Sequence, residues 1–218
     1  MINGKTIVIC MPGNMYSGKF MTNFLELFMH IKARGGIPIV SQQYSSMVNF
    51  ARCKVAGASV DRGKYQKPFG GQHYDYMLWI DSDIIFNIQA FDKLVSMDCD
   101  VASGWYSQPG GTTPVVEKME DDYFRSNGTY EFITAEQMKQ RKFAFRADYI
   151  GFGWVLVKRG VFERMEYPWF APKLQDLGNG VQDMCSEDVA WCLDARAAGI
   201  DIYVDPQVRV GHEKLQII

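Results

Sequence analysis

Two aspartates, Asp81 and Asp83, flank Ser82 directly after the apolar run Tyr76–Ile80. A short apolar run of this kind predicts a strand buried on both faces. Carboxylates just beyond the C-terminal end of such a strand lie at the crevice where α/β sheets bind ligands. Hard oxygen donors in that place hold Mg²⁺ or Mn²⁺ against a diphosphate. The cation then neutralises charge that builds on a leaving phosphate. The same two acids also serve as loop caps, and the spacing alone does not separate these uses.

A second acidic pair, Glu187-Asp188, follows Ser186 and opens a segment with apolar residues at Val189, Ala190, Leu193 and Ala197. That spacing predicts a helix capped by Ser186 and stopped at Gly199. Backbone N–H groups and the helix dipole keep first-turn acids ionised. An ionised, positioned carboxylate acts as a general base toward a hydroxyl, although first-turn acidity is also ordinary in helices. His212 follows Gly211 after an apolar stretch. A carboxylate with an imidazole makes an open metal site with room for phosphate oxygens. A lone histidine is otherwise a surface or core residue.

Two other chemistries compete. Residues 13–19, GNMYSGK, match the first seven positions of the phosphate-cradling G-x-x-x-x-G-K loop, and they lie between a strand and a helix. Tyr76 to Asp81 then passes for the strand and acid of a Walker B element. The next residue is Phe20, so the hydroxyl that would hold Mg²⁺ is missing, and Phe20 fits the apolar stripe of the following helix. Phosphatases with an aspartate nucleophile also use D-x-D, on the first strand and followed two residues later by Thr or Val. Here the motif lies at 81–83 and Ile85 follows.

The elements that must position these groups alternate along the chain. Residues 6–10 predict a buried strand, followed by a Met-Pro-Gly-Asn loop. Phe20, Phe24, Leu27, Phe28 and Ile31 recur at helical spacing until Gly35-Gly36. Residues 37–40 predict a strand, and Ser45 a cap for a helix through Val48, Ala51 and Val55. Residues 62–72 are polar and read as loop. A short helix over 91–95 and a strand over 100–103 complete an alternating first half. Residues 108–148 read as a less regular lobe, with a short helix over 134–141. A strand over 154–157 and a short helix over 160–165 follow. After the helix from Ser186, residues 200–204 and 208–210 predict two strands separated by an Asp205-Pro206 turn. Gly211-His212 reads as loop.

The chain has 218 residues, an apolar share of 47% and a formal charge of −2. That length suits one domain, and the charge argues against nucleic acid as primary partner. No apolar run approaches the ~20 residues of a membrane span. Five cysteines without a C-x-x-C pair predict reduced thiols and a cytoplasmic location. Aromatics reach 14% and serve cores and sugar platforms alike. Trp105, Tyr106, Tyr167, Trp169 and Phe170 are candidates for the second use.

Together the order of D-x-D, a Gly-rich strand entry, E-D opening a helix and a late Gly-His resembles the GT-A fold glycosyltransferases. The family-2-like inverting enzymes, and their short phage and bacterial forms, are the most similar. The resembling stretches are residues 7–12, 49–52, 76–86, 104–106, 151–153, 186–199 and 203–212. SEDVAWCLDARAAGIDIYVDP followed by VGH is the most specific part. The resemblance implies an α/β/α sandwich with a mostly parallel central sheet and a small irregular lobe. One domain, 1–218, would divide into a nucleotide-sugar half (1–106) and an acceptor and catalytic half (107–218). The implied reaction moves a sugar from a UDP- or GDP-sugar donor to a glycan or other hydroxyl acceptor, with Mn²⁺ or Mg²⁺. Asp188 would be the base and Glu187 would support the acceptor. Met11, Pro12, Arg52, Asp81 and Ser82 would line the nucleotide. Asp83 and His212, with Asp81, would hold the metal. The backbone of Gly151, Phe152 and Gly153 would approach the donor sugar or acceptor, with Trp105 and Trp169 as platforms. A phage-encoded form would work in the host cytoplasm. Cys53 stands where many relatives have Asn, which softens the assignment of Arg52. The alternatives are a sugar-nucleotide-binding protein without catalysis and an NTPase using residues 13–19.

Overall fold

The computed structural model describes residues 2–214. Strand β1 (Thr6–Pro12), helix α1 (Gly18–Ala33), β2 (Ile37–Gln43), α2 (Val48–Val55) and β3 (Tyr76–Ile80) come first. Then follow β4 (Ile84–Ile85), α3 (Ile88–Ser96) and β5 (Val101–Trp105). The middle adds β6 (Val115–Val116), α4 (Asp121–Asn127), α5 (Ala135–Gln140), β7 (Phe145–Ala147), β8 (Tyr149–Ile150) and β9 (Trp154–Lys158). The last part holds β10 (Lys173–Asp176), β11 (Gln182–Cys185), α6 (Glu187–Ala197), β12 (Ile202–Arg209) and β13 (Gly211–His212).

The seven-stranded central sheet has the order β2-β1-β3-β9-β5-β12-β7. Strands β2, β1, β3, β5 and β12 run one way, and β9 and β7 run against them. The expected mostly parallel α/β sheet is present. Side-chain alternation explains why its central strands are apolar throughout. In β1, Ile7, Ile9 and Met11 enter one core cluster, and Val8 and Cys10 enter the other. In β3, Leu78 and Ile80 join the first cluster, and Met77 and Trp79 the second. Phe20, Leu27 and Ile31 of α1 and Phe91 and Leu94 of α3 cover the first side. Val55 of α2 and Trp191 and Ala195 of α6 cover the other. The result is a three-layer sandwich. Among the described residues no helix is long and apolar enough to cross a membrane.

Several local expectations are corrected. Met47, not Ser45, holds the N-cap of α2, and it makes no side-chain cap bond. Ser186 occupies the N-cap of α6 with extended backbone, but its side chain makes no capping bond either. The loop at 62–72 contains a 3-10 turn at Pro68–Gly71, and the expected helix at 160–165 is only a 3-10 turn at Phe162–Arg164. β12 runs through Asp205-Pro206 as one strand with a register shift between Val204 and Arg209. β7 pairs with it only up to Val204, whereas pairing with β5 resumes beyond the proline at Arg209. Gly211-His212 is a strand, because it pairs with β4. Helix α4 and the β10–β11 hairpin have no counterpart in the sequence reading. Both are short and polar, so neither leaves a strong apolar period. Helix α5 begins as expected, with a capping box between Thr134 and Gln137.

Candidate active site

The parallel strands β1, β2 and β3 end together, with Pro12 beside Gln43 in the register. β3 passes directly into Asp81-Ser82-Asp83. The Ile84 N–H donates to the Asp81 carbonyl at 3.1 Å, so the triplet is a tight turn at the strand's C-terminal edge. The loop after β1 lies against it. Gly13 has φ 147°, and a Cβ there would stand 2.9 Å from Ser82 Cβ. Only glycine combines that backbone with that approach. Met11 is buried in the core and Pro12 closes β1. A cavity of about 450 Å³ opens beside the turn, lined by Met15, Tyr16, Ser17, Ser82, Asp83 and Lys214 among others.

Asp83 faces His212. β13 pairs antiparallel with β4, setting His212 opposite Ile84. His212 Nε2 stands 3.1 Å from Asp83 Oδ2, and its Nδ1 lies 3.2 Å from the Ser107 carbonyl. A backbone partner for one ring nitrogen orients the other, as metal-binding imidazoles require. Lys214 donates to the same Asp83 oxygen at 2.7 Å. One carboxylate and one imidazole suit Mn²⁺ or Mg²⁺ when phosphate and water supply the other ligands. Among the described residues no group of three or more His, Cys, Asp or Glu is placed to hold a metal. Asp83 and His212 alone would be an incomplete ligand set, to which other oxygen donors would have to be added. The direct ligand role expected of Asp81 is not what the fold displays. Both of its carboxylate oxygens accept from Arg52, at 3.0 and 3.2 Å.

Arg52 also departs from expectation. It is 2% exposed on the inner face of α2, and it faces acids instead of ligand space. Besides its two bonds to Asp81, its Nε lies 3.4 Å from Asp188 Oδ1 and 3.7 Å from Glu187 Oε1. Its guanidinium stacks over Phe152 at 5.4 Å and Phe170 at 5.9 Å. Burial works against its charge, but Asp81, Asp188 and Glu187 more than offset this and hold it protonated. The fold has made Arg52 the counter-ion of three carboxylates.

Asp188 stands in the first turn of α6, where its Oδ2 accepts from the Phe152 N–H at 3.4 Å. Burial pushes its carboxyl up to about 7; Arg52 opposes the rise, and Glu187 and Asp81 add to it. A carboxyl poised there exchanges a proton readily near neutrality. The ionised state expected from the helix dipole alone is thus corrected by desolvation.

Gly151 and Gly153 join the two halves of the site. The Asp81 N–H donates to the Gly153 carbonyl at 3.1 Å, and Phe152 between them reaches Asp188. The space beside both glycines is filled by Tyr106. A Cβ at Gly151 would meet the Tyr106 hydroxyl at 2.8 Å, and one at Gly153 would meet Cε1 at 2.6 Å. The glycines therefore admit a tyrosine, where the sequence suggested a ligand. Phe152 is fully buried, with its ring 4.6 Å from Trp191. Trp105 and Trp169, expected as sugar platforms, are each 1% exposed and belong to the core. Trp105 donates to the Pro206 carbonyl at 2.7 Å, and Trp169 packs edge-on against Phe162. With no free face, neither ring can stack on a sugar here.

Two further residues belong to the site. Tyr106 is 8% exposed, and its ring packs against His212 at 4.8 Å. Burial first, then Asp81, Asp188 and Asp83, raise its phenol above the ordinary range and keep it neutral. In the sequence it was marked as one of five candidate aromatic platforms and as part of the Gly104-Trp105-Tyr106 stretch. Lys214 had none beyond following His212 closely. The G-x-x-x-x-G-K stretch spans the loop after β1 and the start of α1. Ser17 caps α1 by accepting the Phe20 N–H at 3.1 Å, and Phe20 is completely buried.

No family model and no curated protein sequence matches the chain. Solved structures do. A197 from STIV is similar at 14% identity and a TM-score of 0.50, over 98% of this chain and 96% of that one. GalNAc-T7, solved with UDP, GalNAc and Mn²⁺, is similar at 13% identity and a TM-score of 0.53. That match covers 97% of this chain and 44% of the other, so the chain spans less than half of that protein. At such identities the likeness is one of architecture. The chain has the GT-A fold of the glycosyltransferases.

Proposed function

We propose that the chain is a metal-dependent glycosyltransferase of the inverting, family-2-like kind. It would move one sugar from a nucleoside-diphosphate donor, a UDP- or GDP-sugar, to a hydroxyl of a glycan or other acceptor. The observation that carries this reading is the meeting of Asp83 and His212 at 3.1 Å, at the edge where the parallel strands end. The GT-A fold, and the UDP and Mn²⁺ in the similar GalNAc-T7 structure, support it. Residues 1–106 would form the donor half and 107–218 the acceptor and catalytic half, in a cytoplasmic enzyme.

Asp83 and His212 would hold Mn²⁺ or Mg²⁺, which when bound neutralises charge on the departing diphosphate. Ser82, with Met15, Tyr16 and Ser17 of the loop after β1, borders the cavity that would take the donor. Asp188 would take the proton of the acceptor hydroxyl. The freed oxygen attacks the anomeric carbon from the face opposite the diphosphate. The bond from that carbon to the diphosphate oxygen breaks with its electron pair, and configuration inverts. Glu187 lies beside Asp188 to support the acceptor. Arg52 keeps the acids in place and takes no direct part.

The test is a thermal-shift panel of UDP-, GDP-, ADP- and dTDP-sugars, each with and without Mn²⁺. Stabilisation by one donor, dependent on the metal, is expected. A flat response across the panel removes the reading.

A further inference from the structure

The metal pair and the base lie on opposite sides of one phenol. Tyr106 packs its ring on His212 at 4.8 Å, which places it next to Asp83. Its hydroxyl points the other way, toward Gly151 and Gly153. Gly153 is tied to Asp81, and Phe152 to Asp188. The hydroxyl makes no hydrogen bond within the described residues, although Tyr106 is 8% exposed and three carboxylates lie nearby. Its oxygen is not among the fully buried polar atoms that lack a partner, so it keeps an open side at which a ligand can hydrogen-bond. A Cβ at either glycine would collide with Tyr106, so the ring's seat depends on both.

We infer that the Tyr106 hydroxyl is a donor-sugar contact, hydrogen-bonding a hydroxyl of the sugar held between the Asp83–His212 pair and Asp188. The inference rests on the transferase reading, because that reading alone puts a sugar there. The geometry favours a neutral ligand group. A phenol among Asp81, Asp83 and Asp188 can donate to and accept from a sugar hydroxyl, whereas phosphate oxygens are drawn to the metal side.

Titration calorimetry with Mn²⁺ tests it on the whole chain, wild type and Tyr106→Phe. The probes are UDP against UDP-glucose and UDP-N-acetylgalactosamine, and GDP against GDP-mannose. The wild type is expected to bind one sugar nucleotide more tightly than the matching diphosphate. Tyr106→Phe keeps the ring on His212, so diphosphate binding should persist while the sugar's advantage falls roughly three- to tenfold. Gly153→Ala, which drives the ring from its seat, is expected to lose the same advantage and serves as a second variant. An undiminished advantage in Tyr106→Phe overturns the inference and leaves the transferase reading intact. Equal binding of diphosphate and sugar nucleotide by the wild type does the same. Absence of any nucleotide binding by the wild type removes the transferase reading, and the inference with it.

Discussion

His212 and Asp83 stand 3.1 Å apart although 129 positions separate them in the chain. The contact exists because β13 pairs with β4, which follows the D-x-D turn directly. Substituting either partner by alanine would leave one protein ligand for the proposed cation. Asp83→Ala and His212→Ala should each weaken Mn²⁺-dependent nucleotide binding by at least about tenfold. Calorimetric titration with and without Mn²⁺ reads this directly. Unchanged affinity in both variants would falsify the metal site.

Asp188 carries a second expectation. Asp188→Asn should bind donor like the wild type and transfer sugar roughly 10²- to 10⁴-fold more slowly. Full transfer by that variant sinks the base assignment.

The same residue predicts two opposite pH trends. A base must be ionised, so wild-type kcat/KM should rise as pH climbs through about 7, where burial, opposed by Arg52, has pushed the Asp188 carboxyl. Stability moves the other way. The folded state holds the proton more tightly than the unfolded chain, so this group's contribution is present below the ordinary value of 3.8 and lost as pH rises through about 7. Melting temperatures from about pH 4 to about pH 8 should fall less in Asp188→Asn than in the wild type. Parallel curves would show that Asp188 has an ordinary carboxyl.

Arg52 neutralises Asp81, Asp188 and Glu187 from a buried position. Arg52→Met strands those acids and should cost roughly 3–5 kcal/mol of stability. Arg52→Lys keeps a charge but loses the two-pronged bond to Asp81, and should fall between. Denaturant unfolding of the three proteins gives the ranking. A methionine variant as stable as the wild type would mean that Arg52 is not their counter-ion.

Lys19 separates the transferase from an NTPase. It lies exposed in the first turn of α1, behind a serine that already caps the helix. Lys19→Ala should leave Mn²⁺-dependent nucleotide binding within about twofold of the wild type, judged against the roughly tenfold losses at the metal pair. ATP or GTP hydrolysis that disappears in the variant would favour the phosphate-loop reading instead.

The sequence by itself determined the layers. Continuous apolar runs at β1 and β3 bury two faces, so they require helices on both sides, and the spacing in α1 supplies one of them. It also marked Asp81, Asp83 and the Glu187-Asp188 pair, because strand ends and helix starts are local events written in adjacent residues. Tertiary structure alone decided what each group faces. Pairing of β13 with β4 gave His212 its partner. The reach of Arg52 from α2 to Asp81 and to the first turn of α6 turned it from an expected ligand contact into a counter-ion. The aromatics were divided the same way: Trp105 and Trp169 went to the core and Tyr106 to the site, since a ring has the same apolar character in either place. Periodicity records how much of a residue is buried. Which distant residue covers it depends on how the whole sheet is ordered, and no local pattern carries that order.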